Sequence, residues 1–249
     1  MNSEYHKWYS DNLHRDMELK VYGHTGQPYI VFPTSRGRFF DYENMGMVGA
    51  ISSFIETGKI KLFSVDSVDA ETWYNLSILP GDRNARYEDY DRYVIKEVIP
   101  FVREHCRLPE DRIMATGCSM GAYHSVNLFL KHPDLFAGVI GLSGLYRLDQ
   151  PEFHLPSAEL QYVYHNSPIA YLKNQVDPTY LAWYRKSTII VCTGQGKWEN
   201  EAVRDTRELE AQFKEKNISA WFDYWGYDVN HDWPWWYKQM NYFLDHLYK

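Results

Sequence analysis

The chain has 249 residues, with 26 Lys and Arg against 33 Asp and Glu for a net charge of −7, and 17% of its residues are aromatic. A balance this acidic, without any basic run, argues against nucleic acid or an anionic membrane surface as partner, since both need clustered cations to neutralise phosphate. The length suits one α/β domain over residues 1–249, a mostly parallel sheet with helices on both faces.

Met1 to Asp16 is polar and charged, with no apolar leader segment, and the longest near-apolar stretch, Ala137 to Leu145, is too short to cross a bilayer. Cys106, Cys118 and Cys192 are an odd count without C-x-x-C spacing, which fits a reducing compartment. The expectation is a cytoplasmic protein.

Tyr29 to Phe32 reads as the first strand, followed by a loop containing Gly and Arg and a helical stretch from Met45 to Thr57. Lys61 to Val65 is the next strand. From Tyr90 the apolar positions recur at intervals of three and four, which predicts an amphipathic helix ending near Cys106, before Pro109. Arg112 to Thr116 is a short strand, Ala122 to Lys131 a helix stopped by Pro133, and Ala137 to Leu142 another strand. Thr188 to Cys192 reads as a fully buried strand. Ala202 to Lys216 is a helix closed by Asn217 in a left-handed cap, Ala220 to Tyr224 the last strand and Trp233 to Tyr248 the last helix.

Strands that alternate with helices imply parallel pairing with right-handed crossovers, and such sheets place ligands at the carboxyl ends of their strands. Residues 146–185, rich in Tyr, His, Asp and Pro, interrupt the alternation and are expected to form a small cap over that edge.

Gly117-Cys-Ser-Met-Gly121 stands between a predicted strand and a predicted helix. In a sharp strand-to-helix turn the central residue takes a strained backbone, and the residues two before and two after come too close for side chains. Ser119 is thereby lifted above the sheet as a nucleophile, and the N–H of Met120 points to where a carbonyl oxygen would develop charge.

A serine hydroxyl needs a base. His231, in the loop after the last predicted strand, is the best placed of ten histidines; His124, on the helix behind the turn, reads as a surface or packing residue. The third member is a carboxylate in the loop after the preceding strand, where Glu199 is the choice and Glu201 and Asp205 are rivals. A second oxyanion amide is expected from Thr34 or Ser35, with Gly37 letting the chain turn. Arg36 and Arg38 are candidates to face the cleft and bind an acidic substrate group. Trp198 and Trp233 are candidates to line a pocket, although aromatic rings more often pack against the sheet. Cys118 reads as a small buried filler. No histidine has metal-ligand spacing, so neither a metal nor a cofactor is expected.

These motifs resemble the esterase-D-like esterase family of the α/β-hydrolase superfamily, whose members include S-formylglutathione hydrolase, feruloyl and acetylxylan esterases, enterochelin esterase and the mycolyltransferases. The likeness runs from about Tyr29 to the C-terminus and is carried by Gly117 to Tyr123, Phe136 to Gly144, Gly194 to Glu199 and His231 to Trp236. It implies an α/β-hydrolase fold, with Ser119 as nucleophile, His231 as base, Glu199 as acid and Met120 as one oxyanion donor. The chain departs from the family at Pro33-Thr34, where many relatives carry His-Gly or Asp-Gly, so the second amide stays open between Thr34 and Ser35.

The implied activity is hydrolysis of a small or medium carboxylic ester through an acyl-enzyme, and the implied partner is that small molecule; a homo-oligomer is compatible with the sequence. Acyl transfer to an alcohol would use the same residues. A non-catalytic scaffold for binding partners would show a broken triad, whereas here all three positions are filled.

Overall fold

The computed structural model describes residues 1–108 and 112–249, so Pro109 lies outside the described residues. Eight strands form one sheet: β1 (Ser3–Ser10), β2 (Arg15–Tyr22), β3 (Gln27–Phe32), β4 (Ile60–Val65), β5 (Ile113–Cys118), β6 (Phe136–Leu142), β7 (Thr188–Thr193) and β8 (Trp221–Tyr224). Their order is β1-β2-β4-β3-β5-β6-β7-β8, antiparallel on both sides of β2 and parallel from β4 to β8. β4 and β5 are buried at all six positions, as expected of parallel strands covered on both faces.

The first two strands precede the region where the sequence shows alternation. β1 alternates exposed residues with half-buried Glu4, His6 and Trp8, so neither face is plainly apolar and the strand depends on tertiary contacts. Trp8 stacks on Phe101 at 5.5 Å and donates its indole N–H to Glu97 at 2.8 Å.

The helices are α1 (Asp41–Asn44), α2 (Met47–Ala50), α3 (Ser52–Glu56), α4 (Pro80–Tyr93), α5 (Ile99–Cys106), α6 (Met120–Lys131), α7 (Pro168–Lys173), α8 (Pro178–Lys186), α9 (Asn200–Glu215) and α10 (Trp233–Leu247). The stretch expected as one helix from Met45 to Thr57 is broken at Gly46, which takes φ +89°, and again at Ile51. The helix expected from Tyr90 begins at Pro80, and one wider π-helical turn, Val94–Val98, joins α4 to α5. Asn217 takes φ +54° just after α9, as its cap role requires.

Two apolar cores lie on opposite faces of the sheet. Along β3, Ile30 and Phe32 enter one core with α4, α5, α6 and α9, whereas Tyr29 and Val31 enter the other with α2, α3 and α10. Most of the aromatic excess is spent here: Trp73, Tyr87, Tyr90 and Tyr123 are fully buried, and the first of these packs 5.0 Å from Tyr87. Among the described residues no helix is long and apolar enough to cross a membrane.

The residues expected to form a cap fold as two 3₁₀ segments, Pro151–Phe153 and Ser157–Asn166, followed by α7 and α8. They pack mainly along the helical layer, against α4, α6 and α9. Among the described residues of this segment, Gln150 and Pro151 line the cleft described next.

Candidate active site

The pairing register levels the carboxyl ends of the parallel strands: Phe32 lies beside Gly117, Cys118 beside Leu142, Leu142 beside Cys192, and Thr193 beside Tyr224. The loops after β3, β5, β6, β7 and β8 therefore emerge along one edge of the sheet.

At the end of β5 the chain turns into α6 through Ser119, which has φ +56° and ψ −121°. A residue other than glycine in this region is strained, and the surrounding packing must hold it there. That packing excludes side chains at the flanking positions: a Cβ on Gly117 would overlap the Gly121 backbone, and one on Gly121 would overlap the Phe32 carbonyl. The turn thus presses against the end of β3 and leaves Ser119 half-exposed above the sheet, while Cys118 points into the interior. Burial pushes the Cys118 thiol far above its ordinary pKa, which keeps it from acting as a nucleophile.

His231 Nε2 lies 2.9 Å from Ser119 Oγ, and His231 Nδ1 lies 3.2 Å from Glu199 Oε2. The side chain of Glu199 is 1% exposed. Its carboxylate also accepts the Thr193 hydroxyl at 3.0 Å and the Ser143 hydroxyl at 2.7 Å. A buried acceptor this well supplied favours a proton on Nδ1 and leaves Nε2 to accept from Ser119. The two loops are locked together by close backbone approach: Gly196 N–H donates to Val229 at 2.8 Å and His231 N–H to Lys197 at 3.0 Å. A side chain on Gly194 would strike the Val229 carbonyl, which is why this loop is glycine-rich.

Neither rival carboxylate meets the imidazole. Glu201 is exposed and lines the cleft. Asp205 is buried and accepts the backbone N–H groups of Tyr146 at 2.8 Å and Arg147 at 3.1 Å. Burial raises its carboxyl pKa despite the neighbouring Arg204, so it belongs to the packing of α9.

Of the two candidate amides after β3, that of Thr34 is occupied, donating to Asp41 Oδ2 at 3.0 Å. Arg36 N–H donates to Asp69 Oδ2 at 3.0 Å. Among the described residues nothing in the protein accepts from the Ser35 N–H between them, nor from the Met120 N–H at the start of α6. Both residues line the cleft with Ser119. The left-handed residue of the loop is Arg36, with φ +56°, and not Gly37; Gly37 is needed because a Cβ there would press on Pro33 and Asp41.

A model of an esterase family described as "Putative esterase" matches residues 45–247. The chain belongs to that family. The esterase therefore acts on carboxylic esters, and its fold is that of the α/β-hydrolases. It superposes on a ferulic acid esterase with a TM-score of 0.76 at 16% identity, covering 98% of this chain and 96% of the other. An S-formylglutathione hydrolase from Staphylococcus aureus gives 0.73 at 14% identity, covering 98% of each chain. MPT51 from Mycobacterium tuberculosis gives 0.77 at 14%, covering 99% and 97%. No curated protein sequence matches the chain significantly.

The remaining expected residues of the esterase divide. Trp198 stands on the rim of a cleft of about 360 Å³, 77% exposed and with φ +62°. Trp233 is only 8% exposed and lines a side recess with Thr34, Ser35, Ser119 and His231. Arg36 and Arg38 do not line the cleft. The Arg36 guanidinium lies over the Tyr74 ring at 4.7 Å, and Arg38 pairs with Asp66 at 2.6 Å and with Glu18. The Arg38 charge is committed to these carboxylates, whereas Arg36 is exposed and stacks on the ring that walls the cleft.

His124 is fully buried, with Nε2 2.9 Å from Asp69, and is not a surface residue. Two contributors escaped sequence reasoning. Ser143, with φ +53°, bridges Glu199 and the Trp236 indole N–H, which donates to its hydroxyl at 3.0 Å. Tyr74, from a loop with no motif, forms one wall of the cleft and hydrogen-bonds Ser35 through its hydroxyl at 2.8 Å. A serine directly after a strand, at the sheet edge already marked by Ser119, was the available signal for the first.

Proposed function

We propose that this esterase hydrolyses a small or medium carboxylic ester through an acyl-enzyme on Ser119. The observation that carries the reading is the continuous line from Ser119 through His231 to a buried Glu199, with separations of 2.9 and 3.2 Å. His231 takes the hydroxyl proton as Ser119 attacks, and Glu199 orients the ring and stabilises its charged form, completing a catalytic triad. The N–H groups of Met120 and Ser35 form the oxyanion hole, and α6 adds the positive end of its dipole. The imidazolium then protonates the leaving alcohol, and a water activated by the same ring releases the acid.

The cleft suits an uncharged ester. Met120, Leu145, Pro151 and Trp198 supply apolar surface, Gln150 and Ser35 supply hydrogen bonds, and Glu201 is the charged group on its lining. The free thiols Cys106, Cys118 and Cys192 fit a reducing cytoplasm.

Mass spectrometry after fluorophosphonate labelling tests the reading. A single adduct on Ser119 is expected, together with loss of p-nitrophenyl acetate hydrolysis in Ser119→Ala at unchanged thermal stability. Undiminished turnover in that variant, or a label on another residue, would refute it.

A further inference from the structure

Glu4 and His6 are two residues apart on edge strand β1, so their side chains leave the same face of the sheet. α5 packs there and brings His105 to them. Glu4 Oε2 lies 3.4 Å from His6 Nε2 and 2.9 Å from His105 Nε2, and one donor atom from each residue falls within 4.8 Å of the other two. Internal hydrogen bonding leaves this group incomplete. Among the described residues, His6 Nε2 is a buried atom with no hydrogen-bond partner, although it faces the carboxylate.

We infer that Glu4, His6 and His105 form a binding site for a divalent transition-metal ion of the zinc class. Two imidazoles and a carboxylate are a donor set that suits this class and not the all-oxygen preference of calcium or magnesium. Tetrahedral zinc with bonds of about 2.0–2.1 Å holds its ligand atoms about 3.4 Å apart. The separation of His6 from Glu4 already has that value, and the His105 contact must open by about half an ångström to reach it. The His6 and Glu4 side chains are 29% and 39% exposed, leaving room for water at the fourth position.

The surroundings support both rings. Phe101 meets His6 edge-on at 4.9 Å, and Phe63 and Phe101 pack against His105 at 5.4 and 5.6 Å. Such an apolar shell fixes ligand orientation and limits solvent access. Lys61 is the opposing feature. It is 5% exposed, its ammonium lies 3.4 Å from the His24 carbonyl, and its charge competes with a bound cation.

The site is separated from β5 by β2, β4 and β3, so the ion would clasp the edge strand to α5 without entering the ester chemistry. Sequence spacing missed it because His105 arrives from a distant helix.

The test uses metal-stripped full-length protein titrated with zinc by calorimetry and with cobalt by visible absorption. One-to-one saturable binding, tetrahedral cobalt bands and a melting temperature that rises with zinc are expected. His6→Ala and His105→Gln should each weaken binding by at least about tenfold, since the loss of mere supporting partners already costs that much. Ester turnover should not change in either variant. Melting curves recorded without metal verify that both fold, and either one suffices if the other does not. Absence of saturable binding at submillimolar zinc, or unchanged affinity in a folded variant, overturns the inference.

Discussion

Replacing Glu199 by Gln keeps the shape of the side chain and removes its charge. The amide has two ways to sit. With its NH₂ where Oε2 now accepts from Thr193 and His231, the amide donates to Nδ1, drives the imidazole proton to Nε2 and aims it at Ser119. The serine then has no base. With its NH₂ toward Ser143, that hydroxyl must accept from the amide while already accepting from Trp236, and its own proton loses its acceptor. Such a buried, unmatched donor costs about 1–3 kcal/mol, whereas in the first arrangement the Thr193 hydroxyl still has the Gly194 carbonyl at 3.0 Å to donate to, so the first prevails.

The rate penalty of an inverted tautomer is about 10⁴-fold, or about 5.5 kcal/mol of transition-state stabilisation, on the precedent of the aspartate-to-asparagine change in serine proteases. Loss of charge alone, with the tautomer kept, would cost only about tenfold, the difference between a charged and a neutral hydrogen bond. We expect kcat for p-nitrophenyl acetate to fall toward the larger figure with KM nearly unchanged, because Glu199 does not line the cleft. Glu201→Gln, which alters the cleft wall and leaves His231 untouched, should change KM and spare kcat. A Glu199→Gln variant that is folded yet loses less than tenfold, or a larger kcat loss in Glu201→Gln, would refute this reasoning.

Ser143→Ala removes one of the donors to Glu199 and strands the Trp236 N–H. The expected result is a stability loss of about 1–3 kcal/mol by denaturant titration, with a kcat decrease that Ser143→Thr partly restores if the new methyl fits. Glu97 sits within the π-helical turn and accepts from Asn12, Ser10 and Trp8. Burial alone would raise its carboxyl pKa, but these donors together outweigh burial and hold it below the ordinary value. The folded state therefore gains stability from ionised Glu97 above the normal carboxylate range and loses it as pH falls through the lowered value. Melting temperatures of wild type and Glu97→Gln should differ most near neutrality and converge in acid; a gap that widens on acidification would contradict the assignment.

The parallel half of the sheet was readable because its strands are short apolar runs between helices of clear period, and both boundaries of β7 and β8 fall within a residue of expectation. The β1–β2 hairpin was not. β2, with Met17, Leu19 and Val21 buried between polar residues, carries an ordinary alternation. In β1 the outward residues include Tyr5 and Tyr9, 54% and 59% exposed, while the inward ones are Glu4, His6 and Trp8, so its usual polarity is nearly reversed. Such a strand is specified by what packs on it, which a local pattern does not record.

The serine turn and the imidazole loop were visible because steric demand leaves glycines in the sequence. Choosing between Thr34 and Ser35 required Asp41 and Asp69, two carboxylates from later segments whose targets are backbone amides. The pairing of His124 was hidden for the same reason, since its partner Asp69 comes from a short 3₁₀ segment with no motif, although its packing role was one of the two readings the sequence left open.

Asp41 and Asp69 tether the loop on either side of the Ser35 amide, so the socket proposed for the substrate carbonyl is held in place by the protein's own contacts. A mould set in advance is indifferent to what hangs from the carbonyl. Discrimination among esters then falls to the outer wall, where Tyr74, Gln150, Trp198 and Glu201 line the cleft.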